Sequence, residues 1–251
     1  MTTHAAPALP RKRTSRARIL PTILAVAAVL AQIAYPLVHG HPRDVLTIVT
    51  VALFAAAGVT HAGIRDGSLL LIITAGTGFG VEVLGVHTGI PFGHYRYGHT
   101  LGRTVDGVPI VIAFAWTMLA WPALAVGRRI ARTRLGIATV GGLALASWDL
   151  FLDPQMVHDH HWAWSGPGPQ LNGIPVVNHI GWLAVAVGLC ATLDAVLTRP
   201  GGDTLPIALW LWTFLSSVLA NLAFFDRPGV ALAGGVAMGV VALPLALVIR
   251  R

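Results

Sequence analysis

The sequence predicts an all-α, polytopic transmembrane helical bundle of about eight spans. Three observations carry this. The 251 residues are 55% hydrophobic and only 11% charged, with a mean hydropathy of +0.72, whereas a soluble domain carries about 25% charged residues. Apolar runs of bilayer-spanning length, about 18 residues or more, recur along the chain. Basic residues are sorted unequally between alternate loops, as in a protein that threads a membrane.

The runs lie at about 19–38, 45–63, 68–86, 109–127, 135–152, 181–198, 204–224 and 229–249. Backbone polar groups in lipid must be paired within the segment, so each run reads as a helix. No stretch remains for a soluble domain. Residues 19–251 therefore read as one transmembrane domain behind a basic tail, residues 1–18. The first run is too long for a signal-peptide core and lacks a small-residue cleavage site, so it reads as a retained span. Cys190 is alone in an apolar helix, which excludes disulfides.

The formal charge of +7 follows the topology. Arg11, Lys12, Arg13, Arg16 and Arg18 precede the first span, and Arg65 separates the second from the third. Arg128, Arg129, Arg132 and Arg134 separate the fourth from the fifth; Arg199 follows the sixth, and Arg250 and Arg251 follow the eighth. The opposite side holds Arg43, Arg96, Arg103 and Arg227. The positive-inside rule places both termini in the cytoplasm of a multi-pass cell-membrane protein. The positive charge faces anionic lipid. The bilayer is the expected partner, and no nucleic acid is.

A pattern occurs twice. Glu82 closes the third run and Asp149 the fifth, 67 positions later. "HYRY" at 94–97 and "HWAW" at 161–164 repeat at the same offset, and "GVPIVIAFAW" (107–116) and "GIPVVNHIGW" (173–182) repeat one residue closer. This reads as a duplicated helix–loop–helix unit, with copies near 68–127 and 135–198. Both copies cross the membrane in the same direction. Functional sites of repeat-built membrane proteins often lie at the repeat interface.

The carboxylates carry the chemistry. An acid inside a span is costly and marks function. Glu82, Asp149 and Asp153 all fall near the non-cytoplasmic end, and Asp149 and Asp153, four apart, share a helix face. A carboxyl cluster in a low-dielectric site can keep one member protonated while another is ionised, which is an acid/base pair. Asp194 sits at the opposite end near Arg199 and reads as an interfacial charge. Tyr95, Tyr97, Trp148, Trp162, Trp164 and Trp182 lie at the level of the acids. Aromatic faces stabilise desolvated cations. An acid beside an aromatic wall suits protonation of an apolar alkene, with the carbocation then captured by water. Asn172 and Asn178 are candidates for positioning that water. The histidines of "HDHH" (158–161) offer a weaker, metal-binding reading, because no helix carries the i, i+4 pairing of such sites. No metal or other cofactor is expected.

"GFGVEVLGVHTGIPFGHYRYG", "WDLFLDPQM" and the "WAW"-to-"GIPVVNHIGW" region resemble the signature blocks of the CruF-type carotenoid hydratases. The resemblance covers residues 68–185. It implies a cofactor-independent hydro-lyase of carotenoid biosynthesis, which adds water to the terminal double bond of an acyclic end group, as in bacterioruberin-type pigments. The partners it implies are a membrane-dissolved carotenoid, water and other enzymes of carotenoid synthesis. His179 stands where the family pattern has an aromatic residue, which touches only a packing role there. Three rivals share the features: a carotenoid cyclase or isomerase that begins with the same protonation, a proton-coupled transporter, and a scaffold for carotenoid enzymes.

Overall fold

The computed structural model describes residues 16–198 and 202–250. Eight helices form the bundle: α1 (Arg16–Ala34), α2 (His41–Ala62), α3 (Ile64–Thr88), α4 (Ile110–Ile130), α5 (Arg134–His158), α6 (Val176–Val196), α7 (Thr204–Ala223) and α8 (Pro228–Ile249). A single 3₁₀ turn, Tyr35–Leu37, extends α1. All eight helices are long and apolar enough to cross a membrane. Most of the expected N-terminal tail and Arg199 lie outside the described residues.

α4 is the axis of the bundle. It packs on α2, α3, α5, α6, α7 and α8 and is the most buried helix. The peripheral helices turn Leu, Ile and Val outward instead, as at Ile72, Leu215, Val240 and Leu243. That is the pattern of helices bathed in hydrocarbon.

Two helices differ from expectation in a way that matters for the site. α5 runs to His158, so Asp153 lies inside the helix and Pro154 does not end it. A proline removes one N–H, and transmembrane helices tolerate this when neighbours satisfy the freed carbonyl. α6 begins at Val176 rather than near 181. Its first turn therefore carries Asn178 and His179.

The loops contain six short strands: β1 (His94–Tyr97), β2 (Thr104–Val105), β3 (Val108–Pro109), β4 (Trp162–Ser165), β5 (Gln170–Leu171) and β6 (Ile174–Pro175). β2–β3 and β5–β6 are two-residue hairpins that deliver the chain into α4 and α6. Their corners are Asp106-Gly107 (φ 53° and 82°) and Asn172-Gly173 (φ 52° and 82°). Positive φ at both positions defines the type I′ turn, which Asp-Gly and Asn-Gly favour.

β1 and β4 pair antiparallel, with Tyr95 opposite Trp164 and Tyr97 opposite Trp162. Sequence equivalence pairs Tyr95 with Trp162 and Tyr97 with Trp164. Exchanging the two units maps the ladder onto itself, as a two-fold axis between the strands requires. Trp116 and Trp182, also equivalent, stack across this axis with centroids 4.3 Å apart and planes within 7°. α3 and α5 have 25 residues each, and α4 and α6 have 21 each. This correspondence is what a duplicated unit would produce.

An ionic clamp closes the loop end. Asp159, just past α5, pairs with Arg43 at 3.0 Å and accepts from Tyr35 (2.6 Å) and Gln155 (2.7 Å). Arg227 reaches Gln155 at 2.8 Å. Burial opposes ionisation of Asp159, but donors from Tyr35 and Gln155 and the Arg43 charge together outweigh it and hold its carboxyl below the usual range. A carboxyl lowered on folding stabilises the fold above its unfolded-state pKa, and this is lost as pH falls through the folded value. Acid should therefore erode the stability of the wild type below the ordinary aspartate value of 3.8. Asp159→Asn should flatten that part of a pH–melting curve; an unchanged curve would remove the clamp from the stability account.

The stack sets a second expectation. A Cβ at Gly78 would lie 2.3 Å from Trp116 Cγ. Gly78→Val should displace the indole and destabilise the protein by about 1–3 kcal/mol, the usual range for overpacking. A lowered thermal midpoint in detergent would register it, and a wild-type midpoint would contradict the packing described.

Candidate functional site

α3, α4, α5, α6 and the β1–β4 ladder meet around three buried carboxyl groups. Glu82, Asp149 and Asp153 are 4%, 0% and 2% exposed. Among the described residues, no Arg or Lys pairs with any of them; His179 is the one basic side chain that does. A carboxylate buried without a cation needs hydrogen-bond donors, and the fold supplies them.

Glu82 projects from α3. Its Oε2 accepts from the hydroxyls of Tyr95 and of Tyr97 (2.8 Å for Tyr97), and its Oε1 accepts from Trp116 Nε1 at 3.1 Å. Both tyrosines come from alternate positions of β1, so one strand face delivers both hydroxyls. Burial, then the charge of Glu82, pushes both phenols far above their ordinary range, so they remain donors at any working pH. Gly85, one turn further along α3, has no side chain where the Tyr95 hydroxyl passes.

Asp149 and Asp153 project from one face of α5. Asn178, in the first turn of α6, donates from Nδ2 to Asp149 Oδ2 (3.1 Å) and to Asp153 Oδ2. Nδ1 of His179 lies 2.9 Å from Asp149 Oδ2. The two carboxyls are thus held within reach of a single amide nitrogen. Asp149 Oδ1 has no partner among the described residues. Asp149, Asp153 and His179 also offer ligand atoms within 4.8 Å of one another, a spacing that would admit a small cation.

Glu82, Asp153 and Asn178 line one cavity of about 40 Å³. The rest of its wall is largely aromatic: Phe92, Tyr95, Tyr97, Trp116, Trp162, Trp164 and Trp182. Tyr95 packs on Trp164 and Tyr97 on Trp162, with centroids 5.7 and 5.6 Å apart. Trp164 Nε1 donates to the Phe92 carbonyl at 3.0 Å, fixing its ring. Two acid centres thus face a small space walled by π-systems and closed at one end by the loops.

Similarity to known proteins fits this geometry. The family model described as "carotenoid biosynthesis protein" matches residues 43–249. The chain belongs to that family. A bisanhydrobacterioruberin hydratase of Haloarcula japonica is 33% identical over 134 residues, which span 51% of this chain and 44% of that protein. The match thus covers less than half of that relative's length. No solved structure matches. The eight apolar helices make the chain a multi-pass membrane protein.

Most of the residues singled out in the sequence converge here, but two do not. Asn172 is the exposed corner of the β5–β6 hairpin and donates to the Gly229 carbonyl, so it positions no water in this cavity. Trp148 lines a neighbouring cavity instead. The "HDHH" histidines diverge: His158 and His160 are exposed, and His161 is buried with Nδ1 on Thr100 at 2.6 Å. Asp194 is paired with Arg128 at 2.6 Å. Three residues were missed: Trp116, Phe92 and, for chemistry, His179. Trp116 carried a signal, since its equivalent Trp182 was already a candidate.

Asn178 gives the sharpest test of this arrangement. Asn178→Leu keeps the volume but leaves two buried carboxyl oxygens without their shared donor. Losing a partner of a buried polar group costs about 1–3 kcal/mol. The thermal midpoint should fall accordingly, and adding Asp153→Asn to that variant should recover part of the loss. A double variant no better than the single would argue against the shared hydrogen bond.

Proposed function

We propose that the chain is a carotenoid hydratase, and that it adds water to the terminal carbon–carbon double bond of an acyclic end group. One observation carries the reading: Asp153 and Glu82 line a single aromatic cavity, each in a different hydrogen-bond environment. Glu82 receives three donors and no acceptor, the environment of an ionised carboxylate. Asp153 sits beside Asp149, and two carboxyls so close in a low-dielectric site hold a proton between them.

The assignment of steps follows. Asp153 gives its proton to the less substituted carbon of the terminal double bond. The π-electrons form the new C–H bond, and the tertiary cation left behind faces the indole and phenol rings, which stabilise it. Water attacks the cation, and Glu82 takes the proton that water releases. Once Glu82 releases its proton and Asp153 regains one through water, the sum is addition of one water, with no change in oxidation state and no redox partner. Asp149, Asn178 and His179 act through Asp153, as positioning residues.

The similarity to a bisanhydrobacterioruberin hydratase supports the hydration outcome over cyclisation. The test is expression in a host that makes acyclic carotenoids, fed water labelled with oxygen-18. The expected pigment is heavier by one labelled water per reacted end. Glu82→Gln and Asp153→Asn should each lower its yield by about 10²–10⁴-fold, the usual contribution of a general acid or base. Product formation should survive metal chelation. An isomeric product would make the protein a cyclase, and unchanged pigment would favour a transporter or scaffold.

A further inference from the structure

A second, larger cavity of about 180 Å³ lies between α1, α2, α4, α5 and α7. We infer that this cavity is the channel that holds the unreacted polyene arm of the substrate, and that Ala115 of α4 stands at the neck where the arm enters the carboxylate pocket. The inference rests on the hydratase reading for the identity of the arm.

The two cavities share a wall. Ile112, Ala115, Leu152 and Trp162 line both. Ile112 and Ala115 are one turn apart on α4, Leu152 immediately precedes Asp153 on α5, and Trp162 is the β4 residue paired with Tyr97. A chain passing this wall arrives at Asp153. The carboxylate pocket, at about 40 Å³, takes only the end of a long isoprenoid. The remainder needs a second apolar space in line with it, and the larger cavity provides one.

The lining suits an unsaturated hydrocarbon. Val51, Met118, Phe151, Met156 and Phe225 give it an apolar and polarisable surface. Its volume is over ten times the roughly 10–15 Å³ that a single water needs. Three residues of the wall hold buried polar atoms that have no partner among the described residues: Thr50 Oγ1, Trp162 Nε1 and Asn221 Oδ1. Buried polar groups are rarely left unpaired. A hydrocarbon chain satisfies none of these atoms, so water beside it must pair them.

Ala115 decides passage because it is the smallest side chain of the neck. Ala115→Phe should block the neck while leaving the α2 and α7 walls of the larger cavity unchanged. Val51→Phe, on α2, and Ala220→Phe, on α7, should fill the larger cavity from opposite walls.

The experiment measures two quantities in cells that make an acyclic carotenoid: the fraction of pigment hydrated, and the pigment that co-purifies with the detergent-solubilised protein. Monodisperse elution screens each variant for folding, and a variant that fails is replaced by leucine at the same position. Wild type should hydrate and retain pigment. Ala115→Phe should retain pigment but hydrate at least tenfold less. Val51→Phe and Ala220→Phe should lose at least tenfold of both. Wild-type hydration and retention in the two channel-filling variants would overturn the channel and leave the hydratase standing. Retention without hydration by the wild type, lost in those two variants, would support the channel and overturn the hydratase.

Discussion

The core is organised by carboxyl groups that have no lysine or arginine partner among the described residues. Burying such groups inside a membrane is expensive unless each oxygen finds a donor. The donors here are two phenols, an indole, an amide and an imidazole, and they come from three separate places in the chain: Tyr95 and Tyr97 from β1, Trp116 from α4, Asn178 and His179 from the first turn of α6. This requirement explains why the loops fold back as ordered strands and why α6 starts early enough to carry Asn178. It also explains why α3 has no side chain at Gly78 and Gly85, where Trp116 and Tyr95 approach it.

The two-fold arrangement puts two equivalent acids into different surroundings. Glu82 and Asp149 occupy equivalent positions, but their surroundings have diverged. The first unit surrounds its acid with aromatic donors. The second gives its acid a neighbouring carboxyl, an amide and an imidazole. The axis runs through the Trp116–Trp182 stack, so the difference between the units becomes a difference across one cavity. An acid and a base a short distance apart need only such an asymmetry in environment.

The spans were legible in the sequence because hydropathy alone dictates them in a bilayer. The recurrence of acid, histidine and aromatics was legible because they stand at fixed offsets. The pairing of β1 with β4 was not: four-residue strands joined across 67 positions leave no local periodic signal. The fifth apolar run ended near 152, but α5 continues through Pro154 to His158, which hydropathy alone does not reveal. Asn172 looked polar and well placed, yet Asn-Gly between alternating residues is first a turn signal. His179 departed from the expected aromatic pattern and was assigned only packing. That departure was itself the clue, because a polar ring in the first turn of a buried helix needs a partner, and Asp149 is the one it has.

The central claim is that at neutral pH the Asp149–Asp153 pair retains a proton while Glu82 is ionised. Infrared spectroscopy of the purified protein in lipid tests it directly, through the carbonyl stretch of a protonated carboxyl, which is distinct from carboxylate bands. The account requires such a band in the wild type, its loss in Asp153→Asn and its persistence in Glu82→Gln. A wild-type spectrum without that band, or a band that disappears with Glu82 instead, would contradict it.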